Sequence, residues 1–306
     1  MTVRRARRVE TLALALERAV ADFDAAAALE RDPLGVVRPY APEERPVVAH
    51  VTACLAYGAV SQIRRAVGEV LRVLGPSPRE AVRSWVPGRF ATLRPGFVYR
   101  MTRAEDVDAL LVALGSQLRR HGTLEAAFGA AADAAGVPAC GAGDARAPLT
   151  AWVAALRAEM PAGAGRGARY LTPDPATGSA AKRWHLMLRW LVRPEDGMDL
   201  GAWTVLRPSQ LLLPLDTHTA RLVHSLGLSD RRTADYRMAR EATDRLLEVD
   251  PADPVRFDMP LCHLGMSGSC LHRYAPAICP ACPLAGTCRW TVRRRRMSFP
   301  PCGNGL

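Results

Sequence analysis

Lys182 is the sole lysine of this 306-residue chain, in which Lys and Arg together number 41. A composition that uses arginine wherever a generic cation suffices keeps a lysine where arginine cannot substitute. A desolvated amine can lose its proton and attack an electrophile or form a Schiff base, whereas a guanidinium stays protonated. The second residue of interest is Asp216, in the run Pro214-Leu215-Asp216-Thr217-His218. An apolar-periodic segment follows (Leu222, Val223, Leu226), so the acid stands at a helix N-terminus, ionised and aimed outward. An aspartate there serves equally well as an N-cap, and both readings stand. A third feature is Cys270-x8-Cys279-x2-Cys282-x5-Cys288, four thiols on one short stretch, the pattern of a metal or iron–sulfur site.

Asp216-Thr217-His218 followed by Ala220-Arg221, with the cysteine cluster near the C-terminus, resembles the helix-hairpin-helix DNA glycosylases of the endonuclease III type. By motif the resemblance covers roughly residues 170–290. Segments from residue 32 onward (DPLGVVRPY, ACLAYGAV, KRWHLMLRWLVRPEDGMDLG) also resemble a bacterial group of that superfamily, conserved proteins of unknown function. The resemblance implies two helical lobes around a cleft. Residues 46–198 would form a central lobe ending in the hairpin and the Lys182 helix. Residues 1–45 plus 199–306 would form the second, with Asp216 and an iron–sulfur loop at about 262–290. It implies Lys182 as nucleophile, Asp216 as the catalytic carboxylate, and Cys270, Cys279, Cys282 and Cys288 as ligands of a 4Fe–4S cluster. The implied partner is double-stranded DNA carrying a damaged base, bound by a monomer. Four thiolates alone suit zinc as well as iron and sulfide, although x8–x2–x5 lacks the paired CxxC of zinc ribbons.

In place of the family hairpin Leu-Pro-Gly-Val-Gly-x-Lys stands Leu171–Lys182, which keeps only Gly178. That loss favours a rival reading, a non-catalytic lesion- or structure-binding protein of the same fold. A monofunctional glycosylase, with Asp216 activating water, is another, and a zinc-stabilised helical interaction module a third. The separation of lysine from aspartate is closer to archaeal 8-oxoguanine DNA glycosylases and points to an oxidised purine. Candidate DNA contacts are Arg166 and Arg169 in a glycine-rich loop, Gly178 and Ser179, Arg183, His218, Arg289, and Arg293 at the head of the run Arg293–Arg296. For the loop and the terminal run, a solvated surface is the alternative.

The whole chain fits such a partner. Its formal charge is +11 and its pI near 9.8, which suits a polyanion. No uninterrupted apolar run reaches membrane-spanning length. Glu10, Glu17, Arg18 and Asp22 break the apolar pattern of the basic N-terminus, giving an amphipathic helix rather than a signal peptide. Clustered cysteines without a secretion signal point to the cytoplasm and the nucleoid.

Periodicity supplies the elements that must position these residues. A first helix runs to about residue 30, and a long apolar pattern from Val48 to Leu74 breaks at Gly58. Further helices cover Arg79–Trp85, Val107–Leu118 with Gly122 as stop, Thr123–Ala135, Leu149–Met160 and Ser179–Val192. Lys182 then lies in the first turn, and Trp184, Leu186, Leu188 and Trp190 are core. A short helix at Asp199–Trp203, the helix from Asp216 to Gly227, and Thr233–Val249 follow. Cys140 reads as a small apolar filler and Cys262 as buried. Nothing alternates as a strand does, and the expected class is all-α.

Overall fold

Three- and four-residue spacing of apolar side chains becomes helix through most of the chain. The computed structural model describes residues 3–266 and 268–292. In chain order the helices are α1 (Val3–Ala21), α2 (Ala25–Arg31), α3 (Arg45–Cys54), α4 (Val60–Leu74), α5 (Pro78–Arg83), α6 (Arg89–Leu93) and α7 (Ala104–His121). There follow α8 (Leu124–Ala134), α9 (Arg146–Ala158), α10 (Arg166–Leu171), α11 (Lys182–Val192), α12 (Thr217–Leu226), α13 (Tyr236–Leu247) and α14 (Asp258–Met266). Among the described residues the protein is all-α apart from one antiparallel pair, β1 (Val98–Tyr99) and β2 (Thr102–Arg103). No described helix is long and apolar enough to cross a membrane.

Local rules account for most boundaries. In α4, Ile63, Ala66, Val67, Val70, Leu71 and Leu74 form one buried stripe. Thr123 accepts from the Ala126 N–H at 3.1 Å and starts α8. Gly227 ends α12 in the left-handed region at φ 67°, where a Cβ would be strained. Asp24 and Pro33 bracket α2, so the predicted first helix is two, α1 and α2.

The chain divides into a central unit, Ala25–Leu211, and a terminal unit formed by the segment up to Asp24 with that from Leu212 onward. The boundaries differ from the expected 46–198. Residues 25–45 join the central unit because Leu34 and Val37 are buried and Arg38 donates to the Met198 and Asp199 carbonyls at 2.8 and 3.1 Å. Residues 199–211 join it through Trp203, Leu206 and Leu211, all buried.

An aromatic core built on His50 holds the central unit. Its ring lies 5.7 Å from Trp152, 6.4 Å from Trp184 and 5.5 Å from Trp203, tying α3 to α9, α11 and the strand-like run after α11. Asp199 does not begin a helix, as its sequence suggests. It is fully buried, pairs with Arg189 at 3.2 Å and with Arg193, and the chain runs extended beyond it. Burial pushes its carboxyl above the ordinary range, with the two guanidiniums opposing. In the terminal unit α12 packs on α14 so closely that a Cβ on Gly265 would lie 3.1 Å from the His218 Cβ. Arg256 joins α1 to this unit by pairing with Glu17 and, at 2.6 Å, with Asp250.

Burial lowers both His50 and His185 to about 4. Each is neutral in the folded protein, while an unfolded histidine titrates near 6.5. Between those values the unfolded chain binds more protons, so stability present above about pH 6.5 drains away as pH falls toward 4. At 1.36 kcal/mol per pH unit the loss is on the order of 3 kcal/mol per histidine. Urea denaturation at pH 7 and pH 5 should show the midpoint falling with acid, and His185→Leu should remove about half of that dependence.

Candidate functional site

Lys182 is the first residue of α11, and the backbone before it is unusual. Ala181 is the N-cap with φ 42° and ψ 38°, a left-handed conformation that costs an alanine free energy, and its side chain caps nothing. Lys182 and Arg183 are half-buried, while every residue from Trp184 to Val192 is buried. The start of α11 is thus the only part of the helix that meets solvent.

Arg183, expected at a DNA phosphate, is directed into the chain's own carbonyls. It donates to Cys54 O at 2.5 Å and to Tyr170 O, and its guanidinium lies 5.0 Å from the Tyr57 ring and 4.8 Å from that of Tyr170. Tyr57 in turn stands 4.8 Å from Tyr99 and 4.9 Å from Tyr170. Burial pushes the Tyr57 hydroxyl up to about 12 and pulls the guanidinium below its ordinary value, which neighbouring rings and the Cys54 thiol counter. Two stretches far apart in sequence, Cys54 with Tyr57 and Tyr170, therefore fix the turn that bears the lysine. Sequence spacing carried no sign of this cluster.

Asp216 is the N-cap of α12, in extended conformation, and its Oδ1 accepts from the N–H groups of His218 and Thr219, both at 2.8 Å. Two fixed donors hold the carboxylate in one rotamer with Oδ2 turned toward the Cys262 thiol at 3.9 Å. Cys262 is half-buried, and its approach to Asp216 had no signal in the sequence. His218 also reaches α14, with Nδ1 donating to Gly265 O at 3.1 Å, so it orients α12 on α14.

The four clustered cysteines are half-buried and form no disulfide. Their segment contains only one turn of 3-10 helix, Cys279–Ala281. The Ala275 N–H donates to Cys279 Sγ at 3.3 Å, and Cys270 Sγ lies 3.9 Å from His272 Nδ1. Burial raises the Cys270 and Cys282 thiols above their ordinary value, and the neighbouring thiols add to it; Cys282 feels all three of the others. No group of three or more His, Cys, Asp or Glu side chains among the described residues is arranged to hold a metal ion. The donor set itself, four soft thiols within electrostatic reach of one another on one segment, has the chemistry of an iron–sulfur or zinc site.

Arg166 and Arg169 are exposed, on the short helix α10 rather than in a loop. Gly178 closes a 3-10 turn at φ 82°, and the exposed Ser179 accepts from the Ala181 N–H at 3.2 Å. That turn leads into α11. Arg289 pairs with Asp230. Cys140 is exposed, with Sγ 3.2 Å from Val205 O, and is no core filler. Arg293 and the rest of its run lie outside the described residues.

Fold and site together define a helical protein whose lone lysine and a fixed aspartate each open a helix, with a thiol-rich segment downstream. A family model described as a protein of unknown function (DUF2400) matches residues 32–267, and the chain belongs to that family. The match includes Lys182 and Asp216 and ends before Cys270. Neither the curated proteins nor the solved structures contain a match.

Since Asn caps as well as Asp, Asp216→Asn should leave the urea midpoint within error of wild type. Asp216→Ala removes the acceptor for two N–H groups and should cost about 1 kcal/mol. Equal losses in the two variants would show that the carboxylate charge, not the cap geometry, holds α12.

Proposed function

We propose that this protein is a DNA glycosylase of base-excision repair with an associated lyase activity, acting on a base flipped out of damaged duplex DNA. The observation that supports this most is the presentation of Lys182. The one side-chain amine sits at the solvent-facing start of a helix whose remainder is buried, next to a strained residue and a clamped arginine. A base within the stack is out of reach of any side chain, so extrusion has to precede chemistry.

In this reading Lys182 Nζ attacks C1′ of the extruded nucleotide. The N-glycosidic bond breaks, and the base leaves with the bonding pair and takes up a proton. Asp216 stabilises the positive charge that develops on the sugar and accepts a proton from the attacking amine. Ring opening of the N-linked sugar gives a Schiff base, from which loss of the 2′ proton expels the 3′ phosphate. An oxidised purine is the proposed substrate class. Cys270, Cys279, Cys282 and Cys288 would hold a 4Fe–4S cluster, which would brace a segment with almost no secondary structure of its own. A second reading, lesion binding without catalysis, is favoured by the 3-10 turn that stands where the glycine-rich hairpin would be.

Sodium borohydride trapping on a panel of lesion duplexes separates the two. Wild type should form a covalent adduct with at least one lesion, and Lys182→Arg should form none while binding the same duplex within about twofold, since the charge is kept. An adduct persisting in Lys182→Arg would transfer the chemistry to the N-terminal amine and refute the lysine's role. No adduct with any lesion, alongside tight binding, would leave the binding reading.

Metal content gives a separate check. Anaerobically purified protein should be brown, and Cys282→Ser should bleach it. Colourless protein with stoichiometric zinc would replace the cluster by a zinc site without touching the excision chemistry.

A further inference from the structure

A cavity of about 520 Å³ lies within the terminal unit, between α12, the segment entering α13, and the cysteine-bearing segment. Arg221 and His224 of α12, Arg231, Arg232, His272 and Trp290 line it, and among the described residues no carboxylate does. Asp235 neutralises Arg231 through two contacts of 3.1 and 2.5 Å. Asp230, the acid near His224, is held by Arg289. Arg221 and Arg232 have no carboxylate partner among the described residues. Nε2 of His272 is buried without a hydrogen-bond partner among the described residues, on a residue strained at φ 54°. Trp290 is anchored through its Nε1–H to Ser225 Oγ at 3.2 Å.

Two guanidiniums with no carboxylate partner among the described residues line, with an imidazole ring and an indole, a volume larger than one phosphate needs. Guanidiniums match phosphate oxygens with paired N–H groups, and an indole face accepts a nucleobase. We propose that this cavity binds the phosphate of a nucleotide unit, with the attached ring against Trp290, whether the nucleotide is free or part of a nucleic-acid strand. The proposal stands apart from the excision reading, because Lys182 takes no part in it.

The test uses the full chain and two probes, AMP by calorimetry and an undamaged labelled duplex by fluorescence anisotropy. The variant Arg221→Gln/Arg232→Gln should weaken at least one probe about tenfold or more, the scale of lost charge-assisted hydrogen bonds. His272→Ala should weaken the same probe severalfold. Arg221→Lys/Arg232→Lys should keep most of the affinity, and the exposed control Arg207→Gln should keep all of it. A loss for AMP alone assigns the cavity to free nucleotides. A loss for the duplex, with the salt dependence shallower by roughly two phosphate contacts, assigns it to a strand. Should the double glutamine variant not fold, Arg232→Glu on its exposed turn gives the same comparison. The assignment is overturned if neither probe binds saturably, if neither loses affinity in these variants, or if Arg207→Gln loses as much.

Discussion

A carboxylate with no access to water organises the central unit. Asp199 is buried against two guanidiniums, Arg189 of α11 and Arg193 just beyond its end. Removing one partner from such a group leaves an uncompensated charge and costs about 3–5 kcal/mol, a large part of the 5–15 kcal/mol that holds a protein folded. The clamp turns the chain sharply after α11, so that the Leu200 and Trp203 N–H groups donate to the Trp190 and Leu191 carbonyls at 2.8 and 2.7 Å. The open carbonyls at the end of α11 are thereby satisfied, and Trp203 is delivered to the ring cluster around His50. The helix is fixed at its far end before anything is asked of its near end, where the lysine stands.

The two polar helix starts are built by opposite means. Asp216 is held by its own helix, through two hydrogen bonds three residues or fewer away. Lys182 is held by distant chain, through Arg183 gripped between tyrosines and carbonyls of α3 and α10. A local cap survives most changes elsewhere in the protein. A clamp assembled from separate stretches of chain depends on the central unit being folded.

This difference also decides what could be read from the sequence. Asp216, Thr123 and Gly227 announce themselves, because capping is a relation between neighbours, and the stripe in α4 follows from residue spacing alone. Asp199 misled for the same reason: an acid ahead of small residues has the local signature of a helix start, and only long-range contacts with Arg189 and Arg193 make it a buried anion. Arg183 looked like a phosphate ligand because its acceptors, the Cys54 and Tyr170 carbonyls, are backbone groups that no residue type advertises. Arg166 and Arg169 sit among glycines that argue for a loop, yet Ala168 and Leu171 are buried and pull the stretch into α10. The domain boundaries shifted for a similar cause, since Arg38 and Trp203 declare their allegiance only through tertiary contacts.

The left-handed Ala181 limits what can occupy that position. At φ 42° a glycine or asparagine fits with less strain, whereas valine, isoleucine or threonine would crowd its own carbonyl. That torsion angle, together with the Arg183 clamp, sets the direction in which the lysine leaves the backbone. A glycine there would ease the turn while widening the arc the side chain can sweep, trading a defined heading for a looser one.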